Sequence, residues 1–343
     1  MRRYTMLLLT AFLLFVLVVA GSAYLSDSGH LKEDAAMQTL TVYTTLPAEH
    51  ADQIGKAYAK KRHVRLEFVP LSAEELVARA PKDDRAALVL ADEETLMRLS
   101  AAGAFTPYVS EVSDAVPEEF KQSSGTWTGV WYDPVVFAVN RDYLRTLREV
   151  PDTWSALARA SGVRIGMTDF MAADASAHLL YSLIAEFGDA EAYDILRGIH
   201  PNVVQYTKYL SNPVRQAGMG EADIAIAVES EALRYVSDGY PLRIIYPADG
   251  TAYTLTGAGI LAQSSEADRQ AAGRLLDWLL SDEAQAALAA QGFHFLTTNP
   301  ATLAAQSFAG KNLVLFQQLP QFTDQEKHAF LDRWVKYIRF GNS

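Results

Sequence analysis

The acidic triplet Asp92-Glu93-Glu94 follows the apolar run Ala87–Leu90 with only Ala91 between. A strand end of that kind is where α/β proteins place ligands, so these carboxylates are candidates for holding a polar solute or for acid–base work. They would serve equally as first-turn acids that favour a helix dipole. Other catalytic signatures fail on inspection. Gly218-Met219-Gly220 and Gly257-Ala258-Gly259 each lack the third glycine of a dinucleotide loop, and there is no GxxxxGK, G-x-S-x-G, S-x-x-K or H-E-x-x-H. The histidines (His30, His50, His63, His178, His200, His294 and His328) never fall at metal-ligand spacing. No cofactor and no resident metal are implied.

The elements that would position such carboxylates alternate along the chain. Short aliphatic or β-branched runs occur at Leu40–Tyr43, Val64–Val69, Ala87–Leu90, Val135–Val139, Val163–Met167, Val203–Tyr206, Ile224–Val228 and Leu242–Tyr246. Between them lie helical patterns such as Glu49–Lys61, Glu93–Ala102 and Trp154–Ala160. Runs apolar on both faces and separated by helices predict an α/β architecture with a mostly parallel, doubly covered sheet. Gly103 and Gly292 are placed as left-handed helix stops. Near the end, Thr323-Asp324-Gln325-Glu326 has capping-box spacing ahead of the apolar stripe Phe330, Leu331, Trp334 and Ile338, which reads as core packing.

Arg2-Arg3, the apolar run Met6–Ala20 and the small residues Gly21-Ser22-Ala23 form an export signal. Stretched to Leu25, the same segment reaches the ~20 residues of a membrane span, so both a cleaved signal and a retained anchor are compatible with it. The body is thus expected in the periplasm or otherwise outside the inner membrane. The chain has no cysteine, which excludes a lipid anchor on cysteine and a disulfide scaffold. Without residues 1–23 it carries 28 basic and 41 acidic residues, a formal charge of −13. Such a surface is not one for nucleic acid or anionic lipid. The remaining 320 residues exceed the ~250–300 at which one core stops growing, so two lobes are expected.

Five segments together resemble one family: Leu40-Thr41-Val42-Tyr43-Thr44-Thr45, Ala101–Tyr108, Trp131–Asn140, Val150–Leu157 and Leu279–Gln285. In order and spacing they are similar to the ferric-iron and aminoethylphosphonate group of extracytoplasmic solute-binding proteins that serve ABC importers. The resemblance spans about residues 38–300. It implies a two-lobed, periplasmic-binding-protein-like (type II) fold with a ligand cleft between lobes and closure about a hinge. Carried onto this chain it implies a signal peptide or anchor at 1–23, a linker at 24–37, a first lobe from 38–137 plus 254–310, a second lobe from 138–253 and a C-terminal helical extension at 311–343. The partners implied are a small-molecule ligand and the cognate membrane permease, with the binding protein itself a monomer.

The resemblance also implies where the ligand sits. Thr44 and Thr45 occupy the first strand-to-helix turn, as contacts or as ordinary caps. Asp169 and Ser176 occupy the corresponding turn of the second lobe, with capping again open for Ser176. Glu229, Ser230 and Glu231 follow Ile224–Val228 at the cleft edge; Thr251 lies where the chain crosses back, and Tyr253 is expected to line the opening. Ferric binders of the family have adjacent tyrosines where this chain has Ser230 and Glu231, and some have a histidine near the position of Pro47; only Glu93 matches a ligand. The sequence therefore points to a small organic anion such as a phosphonate or sugar phosphate, with ferric iron and an exported carboxylate-dependent hydrolase using Glu93 and Glu229 as alternatives. No enzyme activity is expected.

Overall fold

A computed structural model describes residues 38–341 apart from His63 and Arg148. The expected signal or anchor at 1–23 and the linker at 24–37 lie outside the described residues. The strands are β1 Gln38–Thr44, β2 Val64–Pro70, β3 Leu88–Asp92, β4 Phe105–Thr106, β5 Thr128–Asn140, β6 Ile165–Thr168, β7 Val203–Thr207, β8 Ile224–Val228, β9 Leu242–Ile245, β10 Tyr253–Leu261 and β11 Leu296–Thr297. Eight of them follow the order β2-β1-β3-β10-β5-β8-β6-β7, with β4 paired to β10 and β9 and β11 to β5.

β5 belongs to both halves of this order. Its first residues pair antiparallel with β10 and β11, and from Val135 onward it pairs antiparallel with β8 and β9. Parallel pairing is confined to β1 with β2 and β3, and to β6 with β7 and β8. The expectation of a mostly parallel sheet is therefore corrected to a mixed one. The reason is that β5 and β10 run against their neighbours in each half. Expectation also missed β10. Its Thr254, Thr256, Gly257 and Gly259 break the aliphatic pattern, and close packing requires the glycines: a Cβ on Gly257 would lie 2.7 Å from the Thr128 carbonyl, and one on Gly259 2.7 Å from the Phe105 ring.

Two large hydrophobic cores result. Leu40, Val42, Leu88, Leu90, Trp131, Ile260 and Leu279 belong to the first, and Phe137, Trp154, Ile165, Leu183, Leu196 and Ile224 to the second. The C-terminal helix Asp324–Trp334 opens with the expected capping box at Thr323, and Trp334 and Ile338 sink into the second core. Gly103 and Gly292 end their helices with φ of +70° and +80°. The chain passes between the cores at β5, and again at 247–254 leading into β10. A third passage runs beside the second: Thr251 N–H donates to the Val314 carbonyl and Phe316 N–H to the Thr251 carbonyl, both at 2.9 Å. Among the described residues no helix is long and apolar enough to cross a membrane.

Candidate functional site

The first wall of the site is the end of β3. Its buried residues give way at Asp92, which caps the helix Glu93–Ala101: Oδ1 accepts from Thr95 N–H at 2.9 Å and Oδ2 from Thr95 Oγ1 at 2.8 Å. Capping leaves Glu93 as the group facing inward. It is half-buried, and burial first, then the charge of Asp92, pushes its carboxyl up to about 7. Thr44 is fully buried; its hydroxyl donates to the Leu90 carbonyl at 2.7 Å and accepts from Leu46 N–H at 3.0 Å, so it closes the turn. Half-buried Thr45 reaches only Asp92, at 3.3 Å.

Aromatic side chains from the crossing strands form the floor. Tyr132 of β5 stacks on Phe120 with centroids 5.2 Å apart, and both meet the Tyr253 ring edge-on. Burial, then the charge of Glu229, raises Tyr132 to about 12, while Tyr253 is raised by burial and then by Glu93. Both phenols stay neutral, and the two glutamates approach this floor from opposite lobes. Tyr253 also accepts, through its carbonyl, a 3.0 Å hydrogen bond from His178 Nε2. Thr251 is buried and spends its hydroxyl on the Val135 carbonyl at 2.6 Å, holding two crossings together.

The second wall begins at the start of the helix Glu229–Ser237. Asp133 of β5 is buried and clipped by Ser230, whose N–H donates to Oδ1 at 2.9 Å and whose hydroxyl donates to Oδ2 at 2.6 Å. Desolvation still dominates and pushes the Asp133 carboxyl up to about 7. Glu229 is fully buried, accepts one hydrogen bond from the Tyr246 hydroxyl, and is also pushed up to about 7 by burial, against the opposing pull of Lys311. Glu231 pairs with Arg234 at 2.5 Å.

Beside it lies a crevice bordered by Thr168, Ala175, Ser176, Leu210 and Val228, at the carboxyl ends of β6 and β8. The helices Asp174–Phe187 and Ser211–Gly218 both start there without a side-chain cap. Ser176 spends its hydroxyl on the Asp169 and Ala173 carbonyls at 2.8 and 2.7 Å. Asp169 accepts from Met171 N–H at 2.9 Å and pairs with Arg339 of the C-terminal segment at 3.2 Å.

Of the residues singled out in the sequence, the fold thus gathers Glu93, Tyr253, Glu229 and Ser230 at the junction of the cores. Thr44, Ser176 and Thr251 are engaged with backbone, and Glu231 and Asp169 with arginines. Tyr132, Asp133 and Tyr246 belong to the same cluster and were not singled out. For Asp133 a signal existed, a lone acid inside an otherwise apolar strand. Among the described residues no group of three or more His, Cys, Asp or Glu is placed to hold a metal ion.

Residues 40–294 match the family of bacterial extracellular solute-binding proteins. The chain belongs to that family. An uncharacterized protein of Haemophilus influenzae is similar to this solute-binding protein at 28% identity, across 97% of this chain and 96% of its own. Two solved structures share the fold. The periplasmic binding protein AfuA from Actinobacillus pleuropneumoniae, with fructose-6-phosphate bound, superposes with a TM-score of 0.68 at 20% identity, covering 89% of this chain and 100% of AfuA. Iron-bound HitA from Pseudomonas aeruginosa gives 0.70 at 20% identity, covering 86% and 98%. The two-lobed fold expected from the resemblance therefore stands, and so does the role of a binding protein rather than an enzyme.

Proposed function

We propose that this solute-binding protein captures a small organic anion, a phosphonate or sugar phosphate, between its lobes and hands it to the permease of an ABC importer. The observation that carries the reading is the second-lobe crevice, where two helix starts without side-chain caps meet at the carboxyl ends of β6 and β8. Such starts present free backbone N–H groups and the positive end of the helix dipole to an anion. Around the junction of the cores, Glu229 beside the crevice and Glu93, Tyr132 and Tyr253 offer acceptors and aromatic faces to the hydroxyls or amine of the same solute. A few charge-assisted hydrogen bonds at ~1.5–3 kcal/mol net each suffice for micromolar affinity. AfuA, which shares the fold, holds a sugar phosphate.

Calorimetry against hexose phosphates and 2-aminoethylphosphonate, with ferric citrate alongside, tests the assignment. Binding of at least one organic anion is expected, with a smaller radius of gyration by solution scattering as the lobes close. Binding of iron alone, abolished by Glu93→Ala and indifferent to Ser176→Ala, would sink it.

A further inference from the structure

Glu229 combines two properties that a folded chain ordinarily avoids. Its side chain is fully buried, yet Oε2 has no hydrogen-bond partner. A buried carboxyl oxygen left unpaired is costly, and an apolar residue would relieve the cost. The other oxygen is fixed by the Tyr246 hydroxyl. The surroundings are known from every side: Tyr132 and Asp133 from β5, Tyr246 after β9, Lys311 from the segment following the helix Leu303–Phe308, and Ser230 and Glu231 on its own helix. The three charged groups among these have other work. Asp133 is held by Ser230, Glu231 by Arg234, and the Lys311 ammonium lies over the Phe308 ring at 4.6 Å without an ion pair to Glu229.

The packing around Tyr246 is itself divided between lobes. Phe308 meets Tyr246 edge-on at 5.5 Å, and the helix carrying Phe308 packs on β11 and on the helix Asp282–Ala289 of the first lobe. Separation of the lobes would part Phe308 from Tyr246, the residue that holds Glu229.

We propose that Glu229 is a specificity-determining residue of the cleft: its free oxygen accepts a hydrogen bond from an O–H or N–H of the bound solute, with Tyr246 as the positioning residue. The protein then selects solutes that carry a donor as well as an anionic group. This rests on the organic-anion reading above and adds the solute's donor to it. Because a donor favours the ionised carboxylate, binding releases the Glu229 proton to solvent, and selectivity for the donor rises with pH.

The test uses two matched pairs of compounds: 2-aminoethylphosphonate against ethylphosphonate, and fructose 6-phosphate against methyl phosphate. Within each pair the anionic group is the same kind; the two phosphates titrate alike, so the pH comparison is made on that pair, because the ammonium of 2-aminoethylphosphonate lowers its second ionisation below that of ethylphosphonate. In the wild-type protein at least one pair should favour the donor-bearing member by tenfold or more, with a larger ratio at pH 8 than at pH 6. The pair that responds identifies an N–H or an O–H donor. Glu229→Gln should reduce the ratio at least tenfold and flatten its pH dependence; Tyr246→Phe should lower it partially, with thermal melts confirming that both variants are folded. An unchanged ratio in folded Glu229→Gln overturns the assignment while leaving anion capture intact. Failure of all four compounds to bind the wild-type protein overturns the organic-anion reading and this inference with it.

Discussion

Replacing Asp133 by Asn should stabilise the protein more at mildly basic than at mildly acidic pH. Asp133 is 4% exposed, and its two oxygens receive Ser230 N–H and Ser230 Oγ. Burial holds its carboxyl up at about 7, whereas in the unfolded chain it titrates near ~3.9. Between those values the folded protein keeps a proton that the unfolded chain has released. Stability therefore falls as pH rises, by ~1.4 kcal/mol per unit, and levels off once the folded form ionises too. From pH 5.5 to 7 that amounts to ~2 kcal/mol. Asparagine has the shape of the protonated acid and can meet both Ser230 groups, so the variant lacks this slope. At pH 5.5, already above the unfolded value, Asp133→Asn should be more stable by ~2 kcal/mol; at pH 8 its advantage should reach ~4 kcal/mol, a further gain in melting temperature of roughly 4–8 °C. Circular-dichroism melts at the two pH values measure this directly. A difference in melting temperature that is the same at both would refute the argument that the folded state carries Asp133 protonated.

Lys327 of the C-terminal helix pairs with Glu94 of the first lobe at 2.6 Å, across the lobe boundary, with the glutamate side chain more than half exposed. Lys327→Met should cost no more than ~0.2–1 kcal/mol, an amount that vanishes at high salt, while raising the radius of gyration of the ligand-free protein in scattering. Gly129→Ala would set a Cβ 2.6 Å from the Phe120 carbonyl inside the first sheet, and urea unfolding should show a loss of ~1–3 kcal/mol. Trp334, 1% exposed and packed on Phe170 and Tyr206, should cost ~3–5 kcal/mol on truncation to alanine, measured the same way.

The strands that the sequence reveals, such as β1, β3 and β8, are those whose aliphatic runs are buried on both faces, because burial alone dictates their composition. β10 escaped since its glycines answer to the backbones of β5 and to Phe105, which only the fold brings near. Thr44 left two readings open until the Leu90 carbonyl, 46 positions away, was seen to take its hydroxyl. The junction cluster was hidden for the same reason. Ser230 meets Asp133 across 97 positions and Tyr246 meets Glu229 across 17, separations to which neither helical nor strand periodicity is sensitive.

The passage of the chain back and forth between the cores also governs when the protein can fold. In the first sheet Val89 of β3 lies beside Gly259 of β10, and Trp131 of β5 beside Thr297 of β11. The middle of that sheet is thus supplied by residues that leave the ribosome after all of the second core except its C-terminal residues, such as Phe316, Trp334 and Ile338, has been made. Until then β3 and β5 have no strand between them, and the N-terminal third stays open-edged. For a member of an extracellular family such delay is useful: a chain threaded outward N-terminus first has few long-range contacts to undo, and locks only after its far end has arrived.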